Sequence, residues 1–146
     1  MANFILPKKM HMQISTNAQA NYTQAAVFEI WSAENPPRLL LHHRSENFWN
    51  QSSFVLPTHT YDQDSMVSIS AQYLYTRSAW GTSAEKIWES SENHVLLGYD
   101  DARHREHDND YNDYMIDITF KPGDPVLLSA RDFLAEAAKS WKRREK

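Results

Sequence analysis

Apolar and polar residues alternate with a period of two along several segments, and this pattern constrains the fold more than any other feature of the sequence. The alternation is clearest at residues 10–15, 66–77 and 114–120. Successive side chains of a β-strand point to opposite faces of the sheet, so each of these segments suits a strand with one buried and one exposed face. They are predicted to form the main strands of an antiparallel structure.

Shorter segments of similar character predict five further strands, at residues 24–32, 38–44, 53–56, 86–89 and 94–99. Residues that favour turns separate the strands, among them the pair of prolines at 36 and 37, Pro57, residues 62–65, Gly81 and residues 122–125. Seven or eight short strands at this spacing are typical of a sandwich. The sequence therefore predicts an all-β fold, an antiparallel β-sandwich of the jelly-roll or lectin-like kind, in a single domain that covers residues 1–146.

Residues 129–146 depart from this pattern and predict a C-terminal amphipathic α-helix. Ser129 can cap its start, and Asp132 follows three residues later, as in a capping box. The apolar residues that would share one side of the helix are Phe133, Leu134, Ala137, Ala138 and Trp141. We expect this side to dock on the core. The alternative is that a basic face of the helix contacts a membrane or a partner.

Composition and charge exclude several classes of protein. The longest apolar run is the four residues 25–28, far short of the ~20 that cross a bilayer. The N-terminus lacks the charged-then-apolar order of a secretory signal. The chain has no cysteine, which excludes disulfides, thiolate catalysis and cysteine-bound zinc. A net charge of −4 argues against nucleic acid as a partner. We expect a soluble protein with no transmembrane segment, either cytoplasmic or exported unconventionally.

The negative charge is concentrated in one segment. Residues 100–113 contain five Asp and one Glu against two Arg, a net charge of −4 that equals the charge of the whole chain. Such a concentration of like charge costs free energy unless the carboxylates are solvated, protonated or neutralised by a cation. The segment is therefore the first candidate for a functional site.

The spacing of oxygen-bearing side chains in this segment favours a calcium site. Calcium prefers six to eight oxygen ligands, and its loops often place them at alternate positions, as in residues 108, 110 and 112. The segment is not an EF-hand, because the pattern that follows it is a strand rather than a helix. An exposed acidic loop that binds nothing is the alternative. The predicted ligands are Asp100, Asp101, Asp108, Asp110, Asn112 and Asp113.

Three sequence elements follow one another in this part of the chain. They are Gly-Tyr-Asp-Asp at residues 98–101, Asp-Asn-Asp-Tyr-Asn-Asp at residues 108–113, and the predicted strand that ends at Phe120. Over residues 94–120, this order resembles the calcium-binding signature of the DUF4114 family. The resemblance implies a β-sandwich module of bacterial surface and secreted proteins that binds calcium and serves adhesion or carbohydrate recognition. It also implies that the ligand positions are Asp101, Asp108, Asp110, Asn112 and Asp113, with Asp100 standing where the family often has Glu.

Three tryptophans are candidates for contact with a ligand. Trp49, Trp80 and Trp88 lie in or beside predicted loops, with polar neighbours such as Asn50 and Thr82. A sugar ring offers an apolar face and a rim of hydroxyls, so a lectin-like site needs an aromatic platform next to polar side chains. We therefore expect a calcium-binding recognition module with lectin-like binding of carbohydrate or glycoconjugate. Whether calcium would contact the sugar or only brace the loops stays open.

Two other functions stay open. The first is a small toxin or protein-interaction module that calcium stabilises without any sugar binding. The second is a metal-dependent hydrolase in which His104 and His107 chelate zinc, with Asp108 nearby. The sequence has no Gly-x-Ser-x-Gly motif and no glycine-rich phosphate loop, so a non-enzymatic function is expected. Assembly into a homo-oligomer is also left open.

Overall fold

A computed structural model describes residues 1–101 and 111–125 of the chain. Ten β-strands lie within these two ranges. Their bounds are β1 Ala2–Leu6, β2 Met10–Ala18, β3 Thr23–Ser32, β4 Leu39–Asn47, β5 Gln51–Leu56, β6 Ser65–Leu74, β7 Trp80–Thr82, β8 Ala84–Ser90, β9 His94–Asp100 and β10 Tyr114–Pro122.

The strands form two antiparallel sheets of five strands each. In the first sheet the order is β1-β6-β3-β4, and β7 pairs with β6. Both β1 and β7 use the same edge of β6, since Ala2 pairs with Ile69 and Trp80 pairs with Leu74 further along the strand. In the second sheet the order is β5-β2-β10-β9-β8. The predicted all-β, antiparallel, two-sheet fold is confirmed.

One face of each sheet is apolar, and the two apolar faces pack together. Aromatic rings meet edge to face across the interior, with 5.7 Å between the centroids of Phe4 and Phe120 and 5.5 Å between those of Phe28 and Phe54. The buried residues come from alternate positions, as the period of two predicts. On the two central strands, β3 and β10, they include Ala26, Phe28, Ile30, Tyr114, Ile116, Ile118 and Phe120.

The three main predicted strands correspond to β2, β6 and β10, and the five shorter ones to β3, β4, β5, β8 and β9. Two strands, β1 and β7, were not predicted. Gly81 was expected in a turn but lies in β7, where a Cβ would stand 2.8 Å from a ring carbon of Tyr73. Strand β6 ends at Leu74, so residues 75–77 do not continue it as expected. The predicted helix at 129–146 lies outside the described residues.

The strand register gathers one set of connections at one end of the sandwich, which we call the acidic end. It comprises residues 19–22, 48–50, 75–79, 100–101 and 111–113. The end of β2 meets the start of β10, because Ala18 pairs with Tyr114, and the start of β3 meets the end of β4, because Gln24 pairs with Asn47. The acidic segment therefore begins and ends beside these other connections.

A buried hydrogen-bonded cluster joins the two sheets near the acidic end. The Asn47 side chain on β4 is 2% exposed, and its Oδ1 accepts hydrogen bonds from Thr16 Oγ1 at 2.9 Å and from Tyr114 Oη at 2.8 Å. Asn47 Nδ2 donates to Ser52 Oγ at 2.7 Å. All three partners belong to the second sheet, so one amide of the first sheet fixes three strands of the other.

Within the described ranges, no helix is long and apolar enough to span a membrane.

We expect Asn47→Ala to lower the free energy of unfolding by about 2–3 kcal/mol, since it leaves buried hydroxyls without their acceptor. Asn3→Ala, at an exposed position of β1, serves as the control and should change the stability by less than ~0.5 kcal/mol. Urea denaturation of both variants measures the difference. Equal losses would contradict a role for Asn47 in holding the sheets together.

Candidate functional site

The two ends of the acidic segment are held together by hydrogen bonds. The backbone N–H of Asp101, just after β9, donates to Asp113 Oδ2 at 2.9 Å. The backbone carbonyl of Asp113 accepts from the N–H of Gln19 at 2.9 Å. The segment is therefore closed at its base and attached to the β2–β3 connection.

The base of the acidic segment also reaches the first sheet. Gln24 on β3 is fully buried, and its Nε2 donates to Asp101 Oδ1 at 3.0 Å and to the carbonyl of Tyr22 at 3.1 Å. Asp100 is 0% exposed and Asp101 is 6% exposed. Removing a carboxylate from water costs free energy. The two buried carboxylates at the start of the segment therefore distinguish it from an ordinary solvated loop.

Four of the six predicted calcium ligands are described. Asp101 and Asp113 lie side by side, Asp100 is buried beside them, and Asn112 is exposed. Their oxygens are of the hard kind that calcium prefers. In residues 1–101 and 111–125, no group of three His, Asp or Glu side chains is arranged to hold a metal ion. Because Asp108 and Asp110 fall outside those ranges, the calcium site stays a prediction, as does a zinc site at His104 and His107.

Trp88 lies against the base of the acidic segment. It sits where the pairing of β8 with β9 shifts register, and such a bulge re-aims a side chain. A Cβ at Gly98 would stand 2.4 Å from Trp88 Nε1 and 2.2 Å from the carbonyl oxygen of Tyr111. Glycine is thus required for this close approach. One face of the indole carries a cation, since Lys86 Nζ lies 3.7 Å from the ring centroid.

Trp80 begins β7, directly after the connection formed by residues 75–79, and its ring extends over the outer face of the first sheet. The guanidinium carbon of Arg44 on β4 lies 4.6 Å from the ring centroid. Strands β6 and β3 separate these two residues, and Ala25 on β3 is 1% exposed although it points away from the core. Together Trp80 and Arg44 cover this part of the sheet.

Trp49 is held outward at the acidic end. It lies in the short connection between β4 and β5, and it is 56% exposed, next to Phe48 at 54%. Its backbone φ is 50°, a conformation that bulky residues rarely adopt. Asn50 fixes this connection, because its Oδ1 accepts from the N–H of Phe48 at 2.9 Å and its carbonyl accepts from the N–H of Ala18 at 3.0 Å. Among the described residues, no ring or cation contacts the Trp49 indole.

Two consecutive backbone groups connect the aromatic turn to the acidic segment. Ala18 N–H donates to the Asn50 carbonyl in the Trp49 turn, and Gln19 N–H donates to the Asp113 carbonyl in the acidic segment. The exposed Phe48–Trp49 pair and the base of the acidic segment therefore lie next to each other. Of the three predicted tryptophans, Trp49 combines this position with an exposed ring over which no cation of residues 1–101 and 111–125 lies.

Several residues that shape the site were not predicted. Phe48 could have been found, because it precedes Trp49 and the pair lies between two asparagines in the sequence. Gln24, Arg44 and Lys86 carried no signal, since their contacts with Asp101, Trp80 and Trp88 depend on which strands become neighbours.

A separate charged cluster lies across three strands of the second sheet. His94 on β9 contacts Asp117 Oδ1 through Nε2 at 2.6 Å and Glu89 Oε1 through Nδ1 at 3.0 Å. The hydrogen bond to Glu89, and then that to Asp117, raises the pKa of His94 above its ordinary value. The imidazolium form is therefore favoured between the two carboxylates.

No protein-family model and no curated protein matches the chain. Among solved structures, it is similar to the lectin CV2L of Chromobacterium violaceum in complex with α-methyl-fucoside, at 15% sequence identity and a TM-score of 0.42. That comparison covers 82% of this chain and 95% of that one. It is also similar to the C-terminal domain of the lectin BC2L-C of Burkholderia cenocepacia, at 13% identity and a TM-score of 0.43, covering 82% and 94% of the two chains. TM-scores this low assign no ligand to the chain.

We expect His94→Gln to destabilise the protein mainly at acidic pH. The folded-state pKa of His94 is raised, so its contribution is fully present below the unfolded-state pKa and is lost as the pH rises through the folded-state value. The loss should be on the order of 1 kcal/mol at pH 5.5 and near zero at pH 9. Urea denaturation at both pH values measures it, with His42→Gln, at an exposed position of β4, as the control. An equal loss at both pH values would show that the charge on His94 is unimportant.

Proposed function

We propose that this protein binds carbohydrate at the acidic end, with Trp49 as the aromatic platform. The observation that carries the proposal is the position of Trp49. It is a largely exposed ring on a turn fixed by two hydrogen bonds, connected through Ala18 and Gln19 to the acidic segment. The apolar face of a sugar packs on an aromatic ring, while its hydroxyls need acceptors and amides nearby. The acidic end supplies both.

Rigidity favours this role for Trp49. An exposed aromatic side chain on a mobile loop loses conformational freedom when it binds, and this loss reduces affinity. Here the turn is already fixed by Asn50, and the Asn47–Ser52 hydrogen bond ties β4 of the first sheet to β5 of the second. The left-handed backbone conformation at Trp49 costs about 1 kcal/mol or more of conformational strain. The fold maintains this conformation, and the ring stays exposed to solvent.

Trp80 and Trp88 are weaker candidates for stacking on a sugar. Each bears a cation over its ring, Arg44 in one case and Lys86 in the other, so a sugar would have to displace a favourable contact or use the opposite face. Trp88 lies close to the acidic segment and can border the site.

We also propose that calcium is held by the acidic segment, as the similarity to the DUF4114 signature implies. The support is the closed base of the segment and the burial of Asp100 and Asp101 within it. The ion would neutralise the concentrated negative charge. In this role it would fix residues 100–113 next to the Trp49 turn, so that carbohydrate binding would depend on calcium.

Carbohydrate binding is tested on a glycan array and by titration with α-methyl-fucoside and other simple glycosides. For whichever sugar binds, Trp49→Ala should weaken affinity at least tenfold, or about 1.4 kcal/mol. Ile5→Ala is the matched control, because Ile5 is 59% exposed but far from the acidic end, and it should leave affinity unchanged. If no glycan binds the unaltered protein in calcium, or if Trp49→Ala binds as well as the parent, the proposal is wrong.

Calcium binding is tested by calorimetry and by thermal unfolding with calcium or chelator. Calcium at ~100 times its dissociation constant should stabilise the protein by about 2.7 kcal/mol. Asp110→Ala should abolish this gain. Asp62→Ala should preserve it, because Asp62 lies in a different acidic connection and pairs with Lys9. A melting temperature that does not respond to calcium would refute the site, and tighter binding of zinc than of calcium would favour the hydrolase alternative.

A further inference from the structure

Four apolar side chains form a row across the outer face of the first sheet, at the end away from the acidic segment. We call them the apolar row: Ile5, Met66, Trp31 and Leu39. Each pairs with the next across neighbouring strands, from β1 through β6 and β3 to β4. Ile5 is 59% exposed, Met66 41% and Leu39 43%, and Trp31 is half-buried.

The row continues into a shallow cavity of about 280 Å³. Ala33 and Pro37, in the β3–β4 connection, line this cavity together with Ile5 and Met66. Adjacent exposed apolar side chains of this kind mark a contact surface, because their burial against another apolar surface is favourable. Other exposed apolar residues of the described chain, such as Ile87 on β8, do not form such a row.

We propose that the C-terminal segment of this chain, residues 129–146, packs on the apolar row. The first argument is where the described chain ends. Gly123 N–H donates to the Lys9 carbonyl at 2.8 Å, and Asp124 Oδ1 accepts from Thr60 N–H at 2.7 Å. The chain thus reaches Pro125 beside the β1–β2 and β5–β6 connections. These are the connections that flank Ile5 and Met66 in the sequence.

The second argument is length. An eighteen-residue helix is about 27 Å long. The apolar row crosses four adjacent strands, a width of about 14 Å. Residues 126–128 precede the segment and can extend over about 10 Å. The segment is therefore long enough to cover the row from the point where the chain leaves the sandwich.

The third argument is chemical complementarity. The apolar residues of the predicted helix share one side, as described above, and suit the apolar row. The segment has six basic and three acidic residues. Three acidic residues lie near the row: Glu34 and Asp64 line the adjoining cavity, and Glu29 stands two residues before Trp31 on the same strand. One of them, Glu34, has a basic partner, since Arg38 lies 3.9 Å away. Opposite charges at the rim would favour this placement.

The test uses the full-length chain and exploits the absence of native cysteine. A single nitroxide label is attached at Met66→Cys, and amide NMR signals are recorded. The proposal predicts loss of the signals of residues 133–141. The control is the same label at Ile87→Cys, which is 53% exposed on the edge strand of the second sheet and should leave those signals intact. Intact signals with the label at 66, or equal loss from both sites, would overturn the proposal.

A mixed sample identifies the occupant. Chains that carry the nitroxide but no isotope label are combined with isotope-labelled chains that lack the nitroxide. If the signals of residues 133–141 are also lost in this mixed sample, a second copy covers the row and the proposal fails. Loss confined to chains that carry their own nitroxide supports it.

The variant Leu134→Asp gives a second measurement that does not depend on NMR assignment of the segment. A carboxylate within the apolar side should detach the segment, so the nitroxide at position 66 should become more mobile in its paramagnetic resonance spectrum. The nitroxide at position 87 should be unaffected. Unchanged mobility at position 66 would overturn the proposal. Carbohydrate binding at the acidic end is a separate property, and its presence or absence does not affect either result.

Discussion

The architecture of the acidic end depends on one buried amide. Asn47 belongs to the first sheet, yet its side chain exchanges hydrogen bonds with Thr16, Ser52 and Tyr114 of the second. A polar group removed from water must find partners within the protein, so this cluster permits only a narrow range of positions for the two sheets. The strands that carry the Trp49 turn and the acidic segment begin or end at this cluster.

The arrangement of the connections at the acidic end follows from this constraint. Because β2, β4, β5 and β10 are fixed near Asn47, the connections that extend from them are fixed as well. Asn50 and Asp113 then accept from the consecutive N–H groups of Ala18 and Gln19. An exposed indole thereby lies near Asp113, at the base of the acidic segment. Binding residues are commonly carried by connections that a rigid scaffold positions in this way.

The outer faces of the two sheets have different characters. On the first sheet, Arg44 and Trp80 cover one part and the apolar row crosses another. On the second sheet, the Glu89–His94–Asp117 cluster lies in the open, and its charge depends on pH. These differences arise from pairs of residues far apart in the sequence, which become neighbours only through the order of the strands.

The sequence by itself determined the two-sheet architecture, the buried faces of the main strands and the concentration of charge at residues 100–113, because a period of two and a local charge excess are properties of neighbouring residues. It did not indicate β1 or β7, the contact of Gln24 with Asp101, or the cations over Trp80 and Trp88. It offered three tryptophans as equals, and the tertiary structure showed that they differ in exposure and in the cations that lie over Trp80 and Trp88. The physical reason is register: alternation sets which face a side chain takes, whereas its partners depend on which strand pairs with which and at what offset.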